Sequence, residues 1–197
     1  MKLNIGCGRY VEPGWVGMES DPAMVAEVKR NGGECIHHDA TKPFPASITQ
    51  VDEIFCEDLI EHLGRVGAHS FLCECLRVLK PGGWLTVSTP DLRFLAVKYL
   101  GGALCGDLDA YNRDVGNNPD DGTKRDGQFA IVHDAEALNC AFYWWGHRWL
   151  FDWPYLEAAL LRAGFAEVVY LGDEGSMSKP VRRRGGNLIV SAAKAIT

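Results

Sequence analysis

Short apolar runs alternate along the chain with stretches in which apolar residues recur every three or four positions. Leu3 to Ile5, Trp15 to Ser20, Glu34 to His38, Val51 to Cys56 and Trp84 to Thr89 read as strands, and their alternation with helical patterns predicts a parallel sheet covered by helices. Asp21 caps the first helix with Pro22 in its first turn, and Asn31-Gly32-Gly33 ends it. From Ala68 to Lys80 the apolar positions Phe71, Leu72, Cys75, Leu76 and Leu79 make one helical face, stopped by Pro81-Gly82-Gly83 before the fifth strand. Thr89-Pro90 opens another helix with the stripe Leu92, Leu95, Ala96, Tyr99 and Leu100, which Gly101-Gly102 terminates. A last helix starts near Asp152, carries Leu156, Ala159, Leu160 and Ala163 on one face, and stops at Gly164. Val168 to Leu171 and Leu188 to Ala192 are two final strands, joined by a connection rich in Gly, Ser and Arg.

Residues 101–151 break this rhythm. Their first half, through Asn117-Asn118-Pro119-Asp120-Asp121-Gly122, is polar and turn-prone, whereas His133 to Trp149 is dense in aromatics and histidine. A core domain does not need such an insertion, so it reads as a lid or acceptor pocket on a single domain spanning 1–197. A length of 197 residues with 47% hydrophobic content supports one core and not two. No apolar run is long enough to cross a bilayer, and the start lacks a secretory pattern. The seven cysteines are scattered, with Cys73 and Cys75 as the closest pair, which argues against a zinc or disulfide framework. These features predict a soluble, cytoplasmic protein with no membrane partner. A net charge of −6 argues against nucleic acid as a partner and favours a small-molecule acceptor; Lys179 and Arg182 to Arg184 form one local basic run, read as a solvated hairpin tip or an anion-binding lip.

Candidate chemistry gathers at the carboxyl ends of the predicted strands, where open parallel sheets bind ligands. Gly6-Cys7-Gly8 follows the first strand, and the absent side chains let backbone amides approach a ligand. Glu19 ends the second strand, where a carboxylate can accept from both hydroxyls of a ribose. Asp39 ends the third, in reach of an adenine amino group. Only ten residues separate Gly8 from Glu19, too few for the helix that ordinarily joins such strands.

Leu3-Asn4-Ile5-Gly6-Cys7-Gly8, Glu19, the Asp39 segment, Cys56-Glu57-Asp58-Leu59-Ile60-Glu61-His62 and Leu79-Lys80-Pro81-Gly82-Gly83 together resemble the class I S-adenosylmethionine-dependent methyltransferases. Pro13 to Glu19 and Gly146 to Asp152 look like a small bacterial and phage group within them. The resemblance implies a doubly wound, Rossmann-like α/β fold with a seven-stranded sheet, mostly parallel with an antiparallel C-terminal strand. It also implies S-adenosylmethionine as cofactor and S-adenosylhomocysteine as product. Gly6, Cys7 and Gly8 would line the methionine and ribose, Glu19 would hold the ribose hydroxyls, and Asp39 with Ala40 would contact the adenine. Cys56 and Glu57 would flank the sulfonium through backbone carbonyls, with His62 nearby. Because the first strand opens near Met1, the covering N-terminal helices of many members are expected to be absent, and the aromatic insertion is expected to close the pocket.

Methyl transfer is an in-line displacement at an activated carbon, so positioning is the protein's main task. A hydroxyl or ammonium acceptor also needs a base, and His62, His147 and Asp58 lead the titratable candidates, ahead of His133 and Asp91. A nicotinamide-dependent oxidoreductase would need a third glycine where Val11 stands. An exocyclic-amine nucleic-acid methyltransferase would need an Asp/Asn-Pro-Pro-aromatic turn where Cys56-Glu57-Asp58-Leu59 stands. A non-catalytic or partner-dependent S-adenosylmethionine-binding protein remains a competing reading, and nothing in the sequence sets the oligomeric state or requires a metal.

Overall fold

The computed structural model describes residues 1–102, 133–172 and 186–196. Seven strands form one sheet: β1 (Lys2–Ile5), β2 (Trp15–Glu19), β3 (Glu34–His37), β4 (Val51–Glu57), β5 (Leu79–Pro90), β6 (Glu167–Tyr170) and β7 (Asn187–Ala193). Their order is β3-β2-β1-β4-β5-β7-β6. The first five pair in parallel, and β7 runs antiparallel between β5 and β6. The predicted α/β sheet with an antiparallel C-terminal strand is therefore present. No helix of the described residues is long and apolar enough to cross a membrane.

Helix α1 (Pro22–Arg30) is capped by the Asp21 carboxylate, which accepts from Ala23 N at 2.7 Å. Helix α2 (Gly64–Val78) starts four residues before the apolar periodicity suggests. Leu79 to Gly83 join β5 instead of standing outside it: Leu79 pairs with Val51, a bulge follows, and pairing resumes at Glu53 and Trp84. A Cβ on Gly83 would lie 3.0 Å from the carbonyls of Lys80 and Val51, so the glycine admits a crowded backbone inside the strand. Helix α3 (Leu92–Leu100) is capped by Asp91, not by Thr89 or Pro90, which belong to β5. Its buried contact is also narrower than the stripe suggests: Leu95 packs against Ala137, Ala141 and Leu150, while Ala96, Tyr99 and Leu100 are exposed. A short helix α4 (Asp134–Asn139) runs into a π-helical turn, Cys140–Trp144. Helix α5 (Trp153–Ala163) has Asp152 at its start, accepting from Tyr155 N at 3.0 Å, and left-handed Gly164 at its end.

Both faces of the sheet are buried, as parallel pairing requires. Leu3, Ile5, Met18, Ile54 and Cys56 pack against Phe71, Leu72 and Cys75 of α2 and Leu156 and Leu160 of α5. On the other face, Cys7 and Cys35 meet Val25 and Val28 of α1, and Trp15 meets Phe55 and Ile189. Registry levels the strand ends: Ile5 is opposite Met18 and Cys56, Glu19 opposite His37, and Glu57 opposite Ser88. The loops that follow these residues therefore share one rim.

Candidate active site

No helix joins β1 to β2 among the described residues; residues 6–14 make a compact turn. Gly6 takes φ 68° and donates to the Met18 carbonyl at 2.8 Å. Gly8 has φ 57°, and a Cβ there would meet no atom within 4 Å. Its N–H donates to Glu19 Oε2 at 2.9 Å, tying the glycine turn to the end of β2. Glu19 Oε1 accepts from Ser20 N at 2.8 Å, Asp21 N at 3.1 Å and Ser20 Oγ at 3.3 Å. A carboxylate offers about four lone-pair directions, so the less engaged Oε2 retains acceptor capacity toward a ligand. The Cys7 thiol is fully buried beneath α1, leaving the Cys7 backbone as its ligand-facing part.

Beyond β3, the Asp39 carboxylate accepts from Thr41 N at 2.8 Å and Thr41 Oγ1 at 2.7 Å. Those two donors hold its pKa below the usual carboxylate value. Ala40 is buried in the main core. The loop is tethered further on, where Phe44 N donates to Glu74 Oε2 at 2.6 Å and Arg77 Nη2 donates to the Phe44 carbonyl at 3.1 Å.

At the end of β4 the Cys56 thiol is fully buried, and burial pushes its pKa far above that of an ordinary thiol. Cys56 can therefore face a ligand only through its backbone. Glu57 is buried as well. Asp58 adopts φ 50°, a left-handed conformation that Asp tolerates better than most residues. Its N–H donates to the Ser88 carbonyl at 2.9 Å, and Asn187 Nδ2 donates to both Asp58 Oδ1 at 3.2 Å and Ser88 Oγ at 3.0 Å. Leu59 then folds over the glycine turn: a Cβ on Gly6 would stand 3.2 Å from Leu59 Cδ1.

A single 3-10 turn, Ile60–His62, follows and directs Glu61 inward until it is fully buried. Glu61 Oε2 accepts from Thr89 Oγ1 at 2.9 Å. Its Oε1 lies 4.0 Å from His62 Nε2 and 3.9 Å from His147 Nε2. The two imidazoles meet edge to face, with centroids 4.9 Å apart. Backbone bonds bring His147 here: Arg148 N and Trp149 N both donate to the Glu61 carbonyl, at 2.8 and 3.1 Å. The aromatic segment is further anchored where Leu92 N donates to the Phe151 carbonyl at 2.8 Å.

The structure thus brings His62 and His147 together, sets Asp58 at the base of the same turn, and adds Glu61, to which sequence reasoning assigned no role. A Glu-His pair after an apolar strand was the available signal, but burial of the carboxylate was not visible. Asp91 is spent on capping α3, accepting from Arg93 N at 2.8 Å, and burial raises its pKa. His133 is exposed just before α4. Trp145 leans on His147 with centroids 5.7 Å apart, and Trp149 leans on Tyr155 at 6.1 Å. The basic run at Lys179 and Arg182 to Arg184, the link between β6 and β7, and the polar half of the insertion lie outside the described residues.

Strand order and a polar rim at the carboxyl ends define a Rossmann-like α/β fold. Residues 3–87, less than half of the chain, match the family described as a methyltransferase domain. A Mycolicibacterium smegmatis protein named "Probable S-adenosylmethionine-dependent methyltransferase" is 38% identical over 77 residues, which are 39% of this chain and 29% of that protein. The match thus spans less than a third of that curated relative. Two solved S-adenosylmethionine-dependent methyltransferases share the fold. The one from Thermotoga maritima has a TM-score of 0.58 at 17% identity, covering 98% of this chain and 81% of that one. The one from Mesorhizobium loti has a TM-score of 0.57 at 16% identity, covering 98% and 90%.

Proposed function

We propose that this chain transfers a methyl group from S-adenosylmethionine to a small-molecule acceptor. The observation that carries the reading is the bond from Gly8 N–H to the Glu19 carboxylate, which closes a cradle across the ends of β1 and β2 beside a position with open space. The donor set fits the cofactor. Positive-φ glycines allow close backbone approach, Glu19 Oε2 suits a ribose hydroxyl, and the Asp39-Ala40 turn stands at the adenine end of the same rim. When bound, S-adenosylmethionine supplies an activated methyl carbon. The chain's own task is to hold the acceptor in line with it and to exclude water.

On the acceptor side, Glu61, His62 and His147 supply the polar groups, with Trp145 packed against His147. Asp58 fixes the turn through Asn187 and Ser88. The net charge of −6 supports a small acceptor over a polyanion.

Thermal unfolding with and without S-adenosylmethionine and S-adenosylhomocysteine tests this reading. A ligand at 100 times its dissociation constant adds about 2.7 kcal/mol of stability. We expect a clear upward shift in the native chain and its loss in Glu19→Ala. No shift with either ligand sinks the proposal. A shift with no turnover across a small-molecule acceptor panel points instead to a non-catalytic S-adenosylmethionine-binding protein.

A further inference from the structure

Glu61, His62 and His147 each present one donor atom, and the three atoms lie within 4.8 Å of one another. We propose that they form a binding site for one divalent transition-metal cation, of the class favoured by two imidazoles and a carboxylate: zinc, cobalt, manganese or iron(II).

Three features beyond proximity support the site. The first is orientation. His147 Nδ1 lies 2.7 Å from the Ala141 carbonyl, which can only accept, so Nδ1 carries the proton and the lone pair of the neutral ring is on Nε2. Metal-ligating histidines are commonly held in this way, by a carbonyl on the ring nitrogen away from the ion. The second is electrostatic. That Nε2 faces Glu61 Oε1 at 3.9 Å, and a nitrogen lone pair opposite a fully buried carboxylate oxygen is stabilised by positive charge between them. Thr89 Oγ1 orients the carboxylate from its other oxygen, an outer contact of the kind such sites use.

The third feature is fit. Tetrahedral ligands about 2.0–2.1 Å from zinc stand about 3.4 Å apart. The distances of 3.9 and 4.0 Å to Glu61 Oε1 therefore need to contract by about half an ångström. His62, whose side chain is 34% exposed at the rim, can close its own 4.0 Å, while the 3.9 Å between the clamped His147 and Glu61 closes by a small shift of the carboxylate. Three protein ligands leave a coordination position for water or for an oxygen of the acceptor. This last consequence rests on the methyltransferase reading; the metal site does not.

The experiment uses the full chain, freed of any affinity tag and of metal by dialysis against a chelator, then titrated with Co²⁺. We expect one equivalent bound per chain, visible ligand-field bands, and displacement of the bands by Zn²⁺. His62→Ala and His147→Ala should each weaken Co²⁺ binding by more than about 10-fold, at least the loss seen for outer-shell changes. His62→Ala is the decisive variant, since a rim side chain is removed without opening the core. Absence of stoichiometric binding, or binding unchanged in folded His62→Ala, overturns the site and leaves the trio an ion-pair network. The S-adenosylmethionine-induced thermal shift is read in the same samples. A preserved shift without cobalt binding defeats the metal site alone; cobalt binding without a shift defeats the methyltransferase reading alone.

Discussion

Gly17 lies in β2 with its α-carbon turned toward the cluster under α1. A Cβ at this position would stand 2.7 Å from both Cys7 Sγ and Val11 Cγ2 and 3.0 Å from Cys35 Sγ. Cys7 is fully buried within the glycine turn, so it cannot yield without moving Gly6 and Gly8. Overpacking of this kind costs about 1–3 kcal/mol. Gly17→Ala is therefore expected to lower unfolding stability by that amount in urea titration and to weaken S-adenosylmethionine binding in the same preparation. Unaltered stability would mean that the turn is softer than its packing indicates. The contrast with Gly8 is informative: open space surrounds a Cβ there, so Gly8→Ala acts through its φ of 57° and through whatever ligand comes close.

At the scale of elements, the Asp39 loop is held by α2 and not by its own strand. Glu74 accepts from Phe44 N while pairing with Arg77, whose Nη2 donates at 2.8 Å. The Arg77 guanidinium, then the Phe44 N–H, hold the Glu74 carboxyl below the usual glutamate value. A carboxylate with a depressed folded pKa contributes stability above its unfolded pKa, about 4.3 for Glu, and loses it as pH falls through the lower folded value. Native protein should thus be more stable than Glu74→Gln at pH 7, and the gap should narrow progressively below about pH 4.3. Paired urea titrations at pH 7 and pH 3 check the sign; an equal gap at both values would remove the clamp from the account. The turn between β4 and α2 is built on the same plan. Its side chains are set by partners on β5 and β7, through Ser88, Thr89 and Asn187, and on the returning 146–149 segment.

Across the whole molecule, Phe151 joins the aromatic segment to the sheet. It is 1% exposed, stacks on Tyr155 with centroids 5.5 Å apart, and bridges to Asp91. Truncating such a side chain costs about 3–5 kcal/mol. Phe151→Ala should lose that much stability and should also loosen His147 from Glu61, lowering any Co²⁺ affinity along with the melting temperature. A stability loss below about 1 kcal/mol would show that the segment is not part of the core. Much of this architecture was legible beforehand. Strand ends, the Asp21 and Asp152 caps, the Gly164 stop and the cradle residues Gly6, Gly8 and Glu19 follow from patterns spanning a few positions, where local backbone chemistry decides the outcome. Local composition reads the Leu79 to Gly83 segment as a helix end and stop, whereas its place in β5 depends on pairing across to Val51, which local composition does not encode. Sequence alone therefore determined the alternating elements, their order and the glycine-acid rim, since each arises from short-range periodicity and turn chemistry. Only the tertiary structure decided that Glu61 is buried and that His62 and His147 converge on its carboxylate. Their meeting depends on a distant segment folding back to hydrogen-bond the Glu61 carbonyl, and on burial that no single stretch of chain specifies.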